Sequence, residues 1–240
     1  TNKVVGTVDW NSRLAESRLF EAWCDPQSGV RSYILKEHIA PLQQSFYFTN
    51  TSLSVDGRYY WFYVAHPPSG SADQGRCLAV IDFKMDELHW FPETQFRDAS
   101  PWIDAKTGYA YWCSGYAVYR RAPHPEAGVE LVNVIPEEIH KNRHGQRLAT
   151  HLTPSVDGRE LFIDAHFGNE WCAGSLPING GDFEVWQQFD RCFNHAQFSP
   201  TDSDLALIAQ DWWIDGSTGD KFQYDNRIWT IKRGEDAKPV

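Results

Sequence analysis

The sequence contains no CxxC pair, a single methionine and no apolar run long enough to cross a membrane. Without CxxC pairs, zinc-ribbon and thioredoxin-like folds have no support, and with 5 cysteines at least one thiol stays unpaired. Positive charge is also scarce, because 22 Lys and Arg stand against 32 Asp and Glu, which gives a formal net charge of -10. Since this charge repels nucleic acids and anionic membranes, the sequence predicts neither as a partner.

The abundant residues are apolar and aromatic. Hydrophobic residues make up 42% of the 240 positions and aromatic residues 15%, with Trp 11, Tyr 10 and Phe 14. This content is sufficient for the core of one large domain. The aromatic bias favours β-strands and also supplies flat surfaces on which sugar rings can stack.

Four stretches of the sequence share one plan, namely a short strand, a tight polar turn containing Asp, and a stronger apolar strand. Two of them contain the pentapeptide SVDGR, followed by an apolar run and then Ala-His. Asp-Gly is a strong hairpin signal, because glycine supplies the positive φ that such a turn needs. The intervals between the turn aspartates are 48 (56 to 104), 53 (104 to 157) and 45 (157 to 202) residues. A period near 50 with only strands is typical of a β-propeller.

Each repeat continues into two further strands, so the sequence predicts an all-β fold, a β-propeller of four-stranded antiparallel blades. We expect residues 1–240 to form a single domain that contains four to five blades of a seven-bladed ring. Residues 18–36 are expected to be a hairpin of ring-closing strands. The approximate blade ranges are 46–93, 98–136, 148–190 and 193–235.

Both ends of the chain suggest a longer protein. The chain begins at Thr1 rather than Met, which predicts removal of a signal peptide or trimming of the N-terminus. A periplasmic or secreted location follows from the first reading, and a cytoplasmic location is the alternative. After the fourth repeat no strands remain to pair with the opening hairpin, so we expect the ring to be completed by further residues.

A histidine cluster is expected at one end of the propeller. In a blade, the inner strand runs to a hairpin turn on the far face and the second strand returns, so residues flanking this hairpin meet near the channel on the near face. A single histidine at a strand end is more often a solvated surface residue, but several converging histidines favour a functional site. The positions concerned are His66, His151, His166 and His195.

The fourth repeat carries a family resemblance. Its segment NHAQFSPTDSDLALIAQD, followed by NRIW, resembles the His-x-Gln-Phe-Ser-Pro and Arg-Ile-Trp pattern of the oligogalacturonate lyase family and related uronate-cleaving β-propeller polysaccharide lyases. The segments FEAWCDPQSGVRSYIL and FYFTNTSLSVDGRYYWFY are similar to the start of the same group. The resemblance implies cleavage of a 4-linked uronic acid glycoside by β-elimination, with a uronate-containing oligosaccharide as substrate.

This chemistry needs a cation that neutralises the substrate carboxylate, a base for the C5 proton and an acid for the leaving O4. Histidine suits the base or acid role, and arginine suits the carboxylate. Two arginines lie in the loop that leads to His151. The candidate catalytic residues are His66, His151, His166, Arg143 and Arg147, and the candidate substrate-binding residues are Asn50, Trp212 and Trp213.

A divalent cation, Mn or Ca, is also implied, because members of the oligogalacturonate branch hold one with histidines and a glutamine. His195 and Gln197 match part of that pattern. Alternation along a strand would place both side chains on one face. The remaining ligands would lie in blades outside this chain, and other lyases of this architecture work without a catalytic metal.

Two other function classes are compatible with the repeats. A non-catalytic propeller that binds carbohydrate or protein would have the same aromatic strands but would produce no unsaturated uronate. A propeller glycoside hydrolase would need a pair of carboxylates flanking the bond on the near face. Asp164 and Asp211 lie at suitable strand ends, and neither has an evident partner in the sequence.

Overall fold

Antiparallel sheets make up almost all of the regular structure. The computed structural model describes residues 8–65, 75–97, 101–143 and 145–240, and the all-β prediction is confirmed, with 49% strand and 5% helix. Two short helices lie outside the sheets, α1 (Trp10–Glu16) and α2 (Glu137–His140). The sequence did not predict α1, which begins at the capping residue Asp9. No helix among the described residues has the length and apolarity that crossing a membrane requires.

Four sheets follow one another along the chain, preceded by a separate hairpin of β1 (Phe20–Cys24) and β2 (Arg31–Leu35). The first sheet comprises β3 (Leu42–Ser45), β4 (Tyr59–Ala65), β5 (Arg76–Asp82) and β6 (Glu87–Phe96). The second comprises β7 (Trp102–Ile103), β8 (Ala110–Ser114), β9 (Ala117–Arg121) and β10 (Glu130–Val134). Each sheet is ordered as a meander, as expected for a blade.

The third sheet comprises β11 (Gly145–Arg147), β12 (Thr153–Pro154), β13 (Glu160–Phe167), β14 (Glu170–Pro177) and β15 (Glu184–Phe189). The fourth comprises β16 (Phe193–Phe198), β17 (Leu205–Gln210), β20 (Ile228–Lys232) and β21 (Lys238–Pro239), with a small hairpin of β18 (Trp213–Ile214) and β19 (Lys221–Phe222) inserted after β17. This inserted hairpin was not predicted.

Apolar clusters join each sheet to the next. Trp61 and Trp112 belong to the cluster between the first and second sheets. Alternation along β13 divides the next two clusters, since Leu161 and Ile163 pack towards the second sheet while Phe162 packs towards the fourth. The hairpin β1–β2 packs through Phe20 beside a smaller cluster of the first sheet. Its predicted ring-closing role stays a prediction.

The inner strand is interrupted in the first and third sheets. In the third sheet, β11 pairs with the end of β13 and β12 pairs with its start, so residues 148–152 leave the sheet between them. In the first sheet, β3 pairs with the end of β4 and a single bridge joins Leu53 to Tyr60. The inner strands of these two sheets are therefore short, and the segments that leave the sheets contain buried residues such as Asn50 and Leu152.

The SVDGR segments form the predicted turns. In both copies the serine hydroxyl donates to the aspartate two residues on, over 2.6 Å from Ser54 to Asp56 and 2.7 Å from Ser155 to Asp157. The glycine that follows has a positive φ of 67° in the first copy and 70° in the second. These residues thus shape the hairpin.

Gly174 offers a test of how closely β14 and β15 approach. A Cβ at this position would lie 2.0 Å from the carbonyl oxygen of Glu184, in rigid strand backbone. We expect Gly174→Ala to lower the free energy of unfolding by about 3 kcal/mol, at the upper end of overpacking costs. Gly128→Ala is the control, because a Cβ there meets nothing within 4 Å. Urea unfolding of both variants measures the difference, and equal stabilities would show that the strands separate freely.

Candidate functional site

Two histidines from neighbouring sheets form a hydrogen-bonded pair. His151 lies in the segment between β11 and β12, and His195 lies in β16. The Nε2 of His151 and the Nδ1 of His195 are 2.9 Å apart, and the ring centroids are 5.0 Å apart. One ring must donate and the other accept, so the contact joins two neutral imidazoles or one neutral and one protonated imidazole.

His195 occupies a strained backbone position. The register of β16 against β17 shifts between Asn194 and Gln197, and His195 has a φ of 52°. A non-glycine residue in the left-handed region costs energy and persists where the surroundings enforce it, which is common at functional sites. The bulge also breaks the simple alternation that would put His195 and Gln197 on one face.

Asn50, His151 and His195 occupy the same position in their repeats. Each lies four residues before the turn serine, at Ser54, Ser155 and Ser199. In all three turns the N–H of this serine donates to the carbonyl at the start of the next strand. Counting from the serine rather than from the turn aspartate reveals this equivalence in the sequence, because the fourth turn is one residue longer.

His151 is more deeply buried than His195. It is only 3% exposed, and the ring of Tyr47 stacks on it with centroids 4.5 Å apart and an interplanar angle of 18°. Its Nδ1 is buried and has no hydrogen-bond partner among the residues that the structure describes. His195 is the more exposed of the pair. Tyr47 was not among the predicted site residues, and its stacking carries no signal in the sequence.

Burial and positive charge keep both rings neutral near pH 7. Burial lowers the pKa of His151 to about 4, and the charges of His195 and Arg147 act in the same direction. Burial also lowers the pKa of His195, with Arg227 and Arg147 adding to the effect and Asp211 opposing it. A neutral imidazole retains a lone pair, so this pair is suited to accepting a proton.

Arg147 lies beside a buried carboxylate. It is opposite His166 in the pairing of β11 with β13, and its Nε is 3.9 Å from the Oδ2 of Asp164. That carboxylate accepts from the N–H of Thr150 over 2.8 Å and from its hydroxyl over 2.5 Å. Burial raises the pKa of Asp164 to about 6. Asp164 is 1% exposed and accepts two hydrogen bonds from Thr150. It is therefore not positioned to act on a glycosidic bond as one of the two carboxylates of a glycoside hydrolase.

A second arginine comes from the fourth sheet. Arg227 donates from Nη1 to the carbonyl oxygen of Gln210 over 2.7 Å, and its Nη2 is 3.6 Å from the Oδ2 of Asp211. Asp211 also accepts from the amide of Asn194 over 3.0 Å. Arg227 belongs to the NRIW segment, but the sequence assigned it no role. The charges of Arg147 and Arg227 thus both act on His195.

His166 lies close to the C-terminal end of β13. Its Nε2 is 2.8 Å from the carbonyl oxygen of Gly168, and its ring stacks on Trp171 with centroids 4.5 Å apart. Burial lowers its pKa to about 4, and Arg147 adds to the effect. Trp213, in the inserted hairpin, packs edge-on against Trp171 at 4.9 Å. This hairpin therefore forms a wall beside His166.

The other predicted residues have separate surroundings. Arg143 forms an ion pair with Glu170 over 2.6 Å. The buried amide of Asn50 donates to the carbonyls of Pro101 and Leu152. Trp212 is 50% exposed, with the ammonium of Lys221 4.9 Å from its ring centroid. The predicted His66 lies outside the described residues.

The described part of the chain contains no cluster of three His, Cys, Asp or Glu side chains with the spacing of a metal site. The nearest arrangement is the pair of imidazoles, with Gln197 in the same strand as His195. The Nε2 of His151 and the Nδ1 of His195 are used in their mutual hydrogen bond, so these two nitrogens do not offer two lone pairs to one cation.

The buried histidines and Asp164 should make the free energy of unfolding depend on pH. His151 and His166, with pKa values lowered from 6.5 to about 4, contribute stability that is present above pH 6.5 and lost towards pH 4. Asp164 acts oppositely, since its pKa is raised from 3.8 to about 6 and the folded state gains stability by protonation in that range. Two histidines outweigh one carboxylate, so the melting temperature should fall between pH 6.5 and 4.5.

The variant Asp164→Asn removes the opposing contribution. The loss of melting temperature between pH 6.5 and 4.5 should therefore be steeper in Asp164→Asn than in the parent protein. Thermal unfolding followed by circular dichroism at both pH values measures the two slopes. An unchanged slope in the variant would mean that Asp164 is already ionised at pH 4.5 in the folded state.

No family model and no curated protein sequence matches the chain, but solved structures do. An oligogalacturonate lyase from Vibrio parahaemolyticus superposes with a TM-score of 0.67 at 13% identity, over 92% of this chain and 58% of its own. An oligogalacturonate lyase in complex with manganese gives a TM-score of 0.66 at 14% identity, over the same 92% and 58%. The β-propeller domain of Cps50 (Swd1) from Myceliophteria thermophila gives 0.53 at 9% identity, over 88% and 62%.

At these identities the comparisons show the fold alone. The chain spans 58% of the length of the two lyases. All three structures support a β-propeller fold, and the four meandering sheets agree with it. The predicted fold class is confirmed, and this chain is a β-propeller protein.

Proposed function

We propose that this protein is a polysaccharide or oligosaccharide lyase that cleaves a 4-linked uronic acid glycoside by β-elimination. The observation that carries the proposal is the contact of 2.9 Å between His151 and His195, with Arg147 and Arg227 acting on the same ring. Neutral imidazoles beside two arginines match the demands of the reaction, because a neutral imidazole accepts a proton and an arginine binds a carboxylate. The likeness to oligogalacturonate lyases supports the same class.

In the proposed reaction, His195 is the histidine that contacts the substrate. Arg147 and Arg227 bind the uronate carboxylate, which makes the C5 proton more acidic. His195 accepts this proton, while His151 fixes the tautomer of His195 through the shared hydrogen bond. The C5–H and C4–O4 bonds break, the C4–C5 double bond forms, the leaving O4 takes a proton from solvent water, and the protonated His195 returns its proton to solvent. His166 and the exposed Trp212 remain proposed contacts on the same side of the third and fourth sheets.

The proposed cation is a separate question. One of the structurally similar oligogalacturonate lyases was solved in complex with manganese. In this chain, His195 and Gln197 match part of the ligand set that the resemblance implies. Since the described residues supply an incomplete donor set, no step of the reaction above is assigned to a metal. The activity assay therefore includes parallel reactions with manganese, with calcium and with a chelator.

The test is an ultraviolet assay for the unsaturated uronate that β-elimination creates. Pectic, glucuronate-containing and algal uronate oligosaccharides serve as substrates, and mass spectrometry identifies the products. At least one class should yield an unsaturated product. Binding without any product would instead support a non-catalytic carbohydrate-binding propeller, and saturated products alone would support a glycoside hydrolase.

A further inference from the structure

A cavity lies between the third and fourth sheets. Its volume is about 420 Å³, within the range of pockets that hold small ligands. It is bounded by β15 on one side and by β20 with the segment before β21 on the other. The side-chain oxygen of Gln187 accepts from the N–H of Ala237 over 2.7 Å, which joins the two sheets across the cavity. No step of the proposed elimination uses this cavity.

The cavity has an ordered aromatic wall. The ring of Trp229 packs edge-on against Phe193 at 5.4 Å, and Phe193 stacks on Phe189 at 4.2 Å. The indole N–H of Trp229 donates to the carbonyl oxygen of Asn226 over 2.8 Å, so the ring is held in place while remaining partly exposed. A fixed, partly exposed aromatic ring next to polar groups provides a stacking surface for the apolar face of a pyranose.

The rim consists of amides and carboxylates. Gln188 and Asn226 are exposed, and neither side-chain amide makes a hydrogen bond to another of the described residues. Asp190 and Asp225 add two carboxylates, whereas Arg191 is the one arginine lining the cavity and is paired with Asp190 over 2.8 Å. The charge of the rim is therefore negative, which disfavours a uronate. Amides and carboxylates together accept from and donate to sugar hydroxyls.

This cavity adjoins the histidine site. Gln210 lines the cavity, and its carbonyl oxygen accepts from Arg227, which acts on His195. Phe193 lies two residues before His195 in β16. The two sites therefore share strand β16.

We propose that the cavity between β15 and β20 is a binding site for an uncharged pyranose unit of an oligosaccharide. The aromatic wall, the unpaired rim amides and the negative rim support it together. This binding does not depend on β-elimination. If the proposed lyase activity also holds, the substrate is a chain in which neutral sugars accompany the uronate.

The test measures binding directly. Saturation-transfer NMR and calorimetry use three neutral probes, cellohexaose, mannohexaose and β-1,4-galactohexaose, and hexagalacturonate as the charged probe. At least one neutral probe should bind, and Gln188→Ala/Asn226→Ala should weaken that binding at least tenfold. The matched control Asn11→Ala/Gln27→Ala removes two exposed amides near the N-terminus and should leave it unchanged.

Hexagalacturonate separates this site from the histidine site. Its binding and its elimination should be the same in Gln188→Ala/Asn226→Ala as in the parent protein. The proposal is wrong if no neutral probe binds, if the rim variant binds neutral probes normally, or if it loses hexagalacturonate affinity by the same factor. Neutral binding that persists in a protein without lyase activity would uphold this site and reject only the proposed reaction.

Discussion

The variant His195→Asn is expected to lower the rate of β-elimination by about 10²- to 10⁴-fold, the usual effect of removing a general base. His195 is the more exposed ring of the pair and is kept largely neutral by burial and by Arg227 and Arg147. Asparagine is chosen because it tolerates the left-handed backbone at φ 52°, where alanine would add strain. The loss of rate therefore reports on the imidazole and not on the fold.

The supporting variants locate the effect. His151→Ala should also lower the rate, but by less, because His151 acts through its hydrogen bond to His195 and does not contact the substrate. His89→Ala is the control, since His89 lies in outer strand β6 beside Glu87. Initial rates from the ultraviolet assay are compared for variants that circular dichroism shows to be folded. Wild-type rates in His195→Asn would mean that the base lies elsewhere, with His166 as the next candidate.

Much of the fold could be predicted because its signals are local. The Asp-Gly turns, the apolar strands after them and the regular spacing all reflect short-range preferences, and the sheets lie where these signals indicate. The departures have non-local causes. The inner strand of the third sheet stops at Arg147 because the next residues turn into the core, where Leu148, Ala149 and Leu152 pack.

The site could be predicted only in part for the same reason. The sequence placed His151 and His195 near one end of the blades, but their contact depends on a bulge in β16 that no local pattern indicates. Tyr47, in the loop after β3, stacks on His151 of the third sheet, and Arg227, just before β20, bonds to Gln210 at the end of β17. Such contacts arise from the arrangement of whole sheets, so residue type and spacing do not reveal them.

Replacing Arg147 with alanine is expected to lower the rate of elimination by about 10²- to 10³-fold, as for loss of a fixed donor to developing negative charge. Arg147 acts on His151, His166 and His195, and its Nε is buried without a hydrogen-bond partner in the described residues. The Arg147 side chain is 21% exposed, so another part of its guanidinium remains open to a substrate carboxylate. Arg147→Lys keeps the charge but not the fork and should recover only part of the rate.

The control for Arg147 is Arg31→Ala, an exposed arginine in the hairpin β1–β2. A second measurement separates binding from structure, because Arg147 adds to the burial that lowers the pKa of His151 and His166. NMR titration of Arg147→Ala should therefore show the pKa of His151 and His166 rising above about 4, while burial still holds it below 6.5, and Arg147→Lys should leave it low. If the histidine pKa values rise and the rate does not fall, Arg147 tunes the histidines without binding substrate, and the carboxylate must be bound by Arg227.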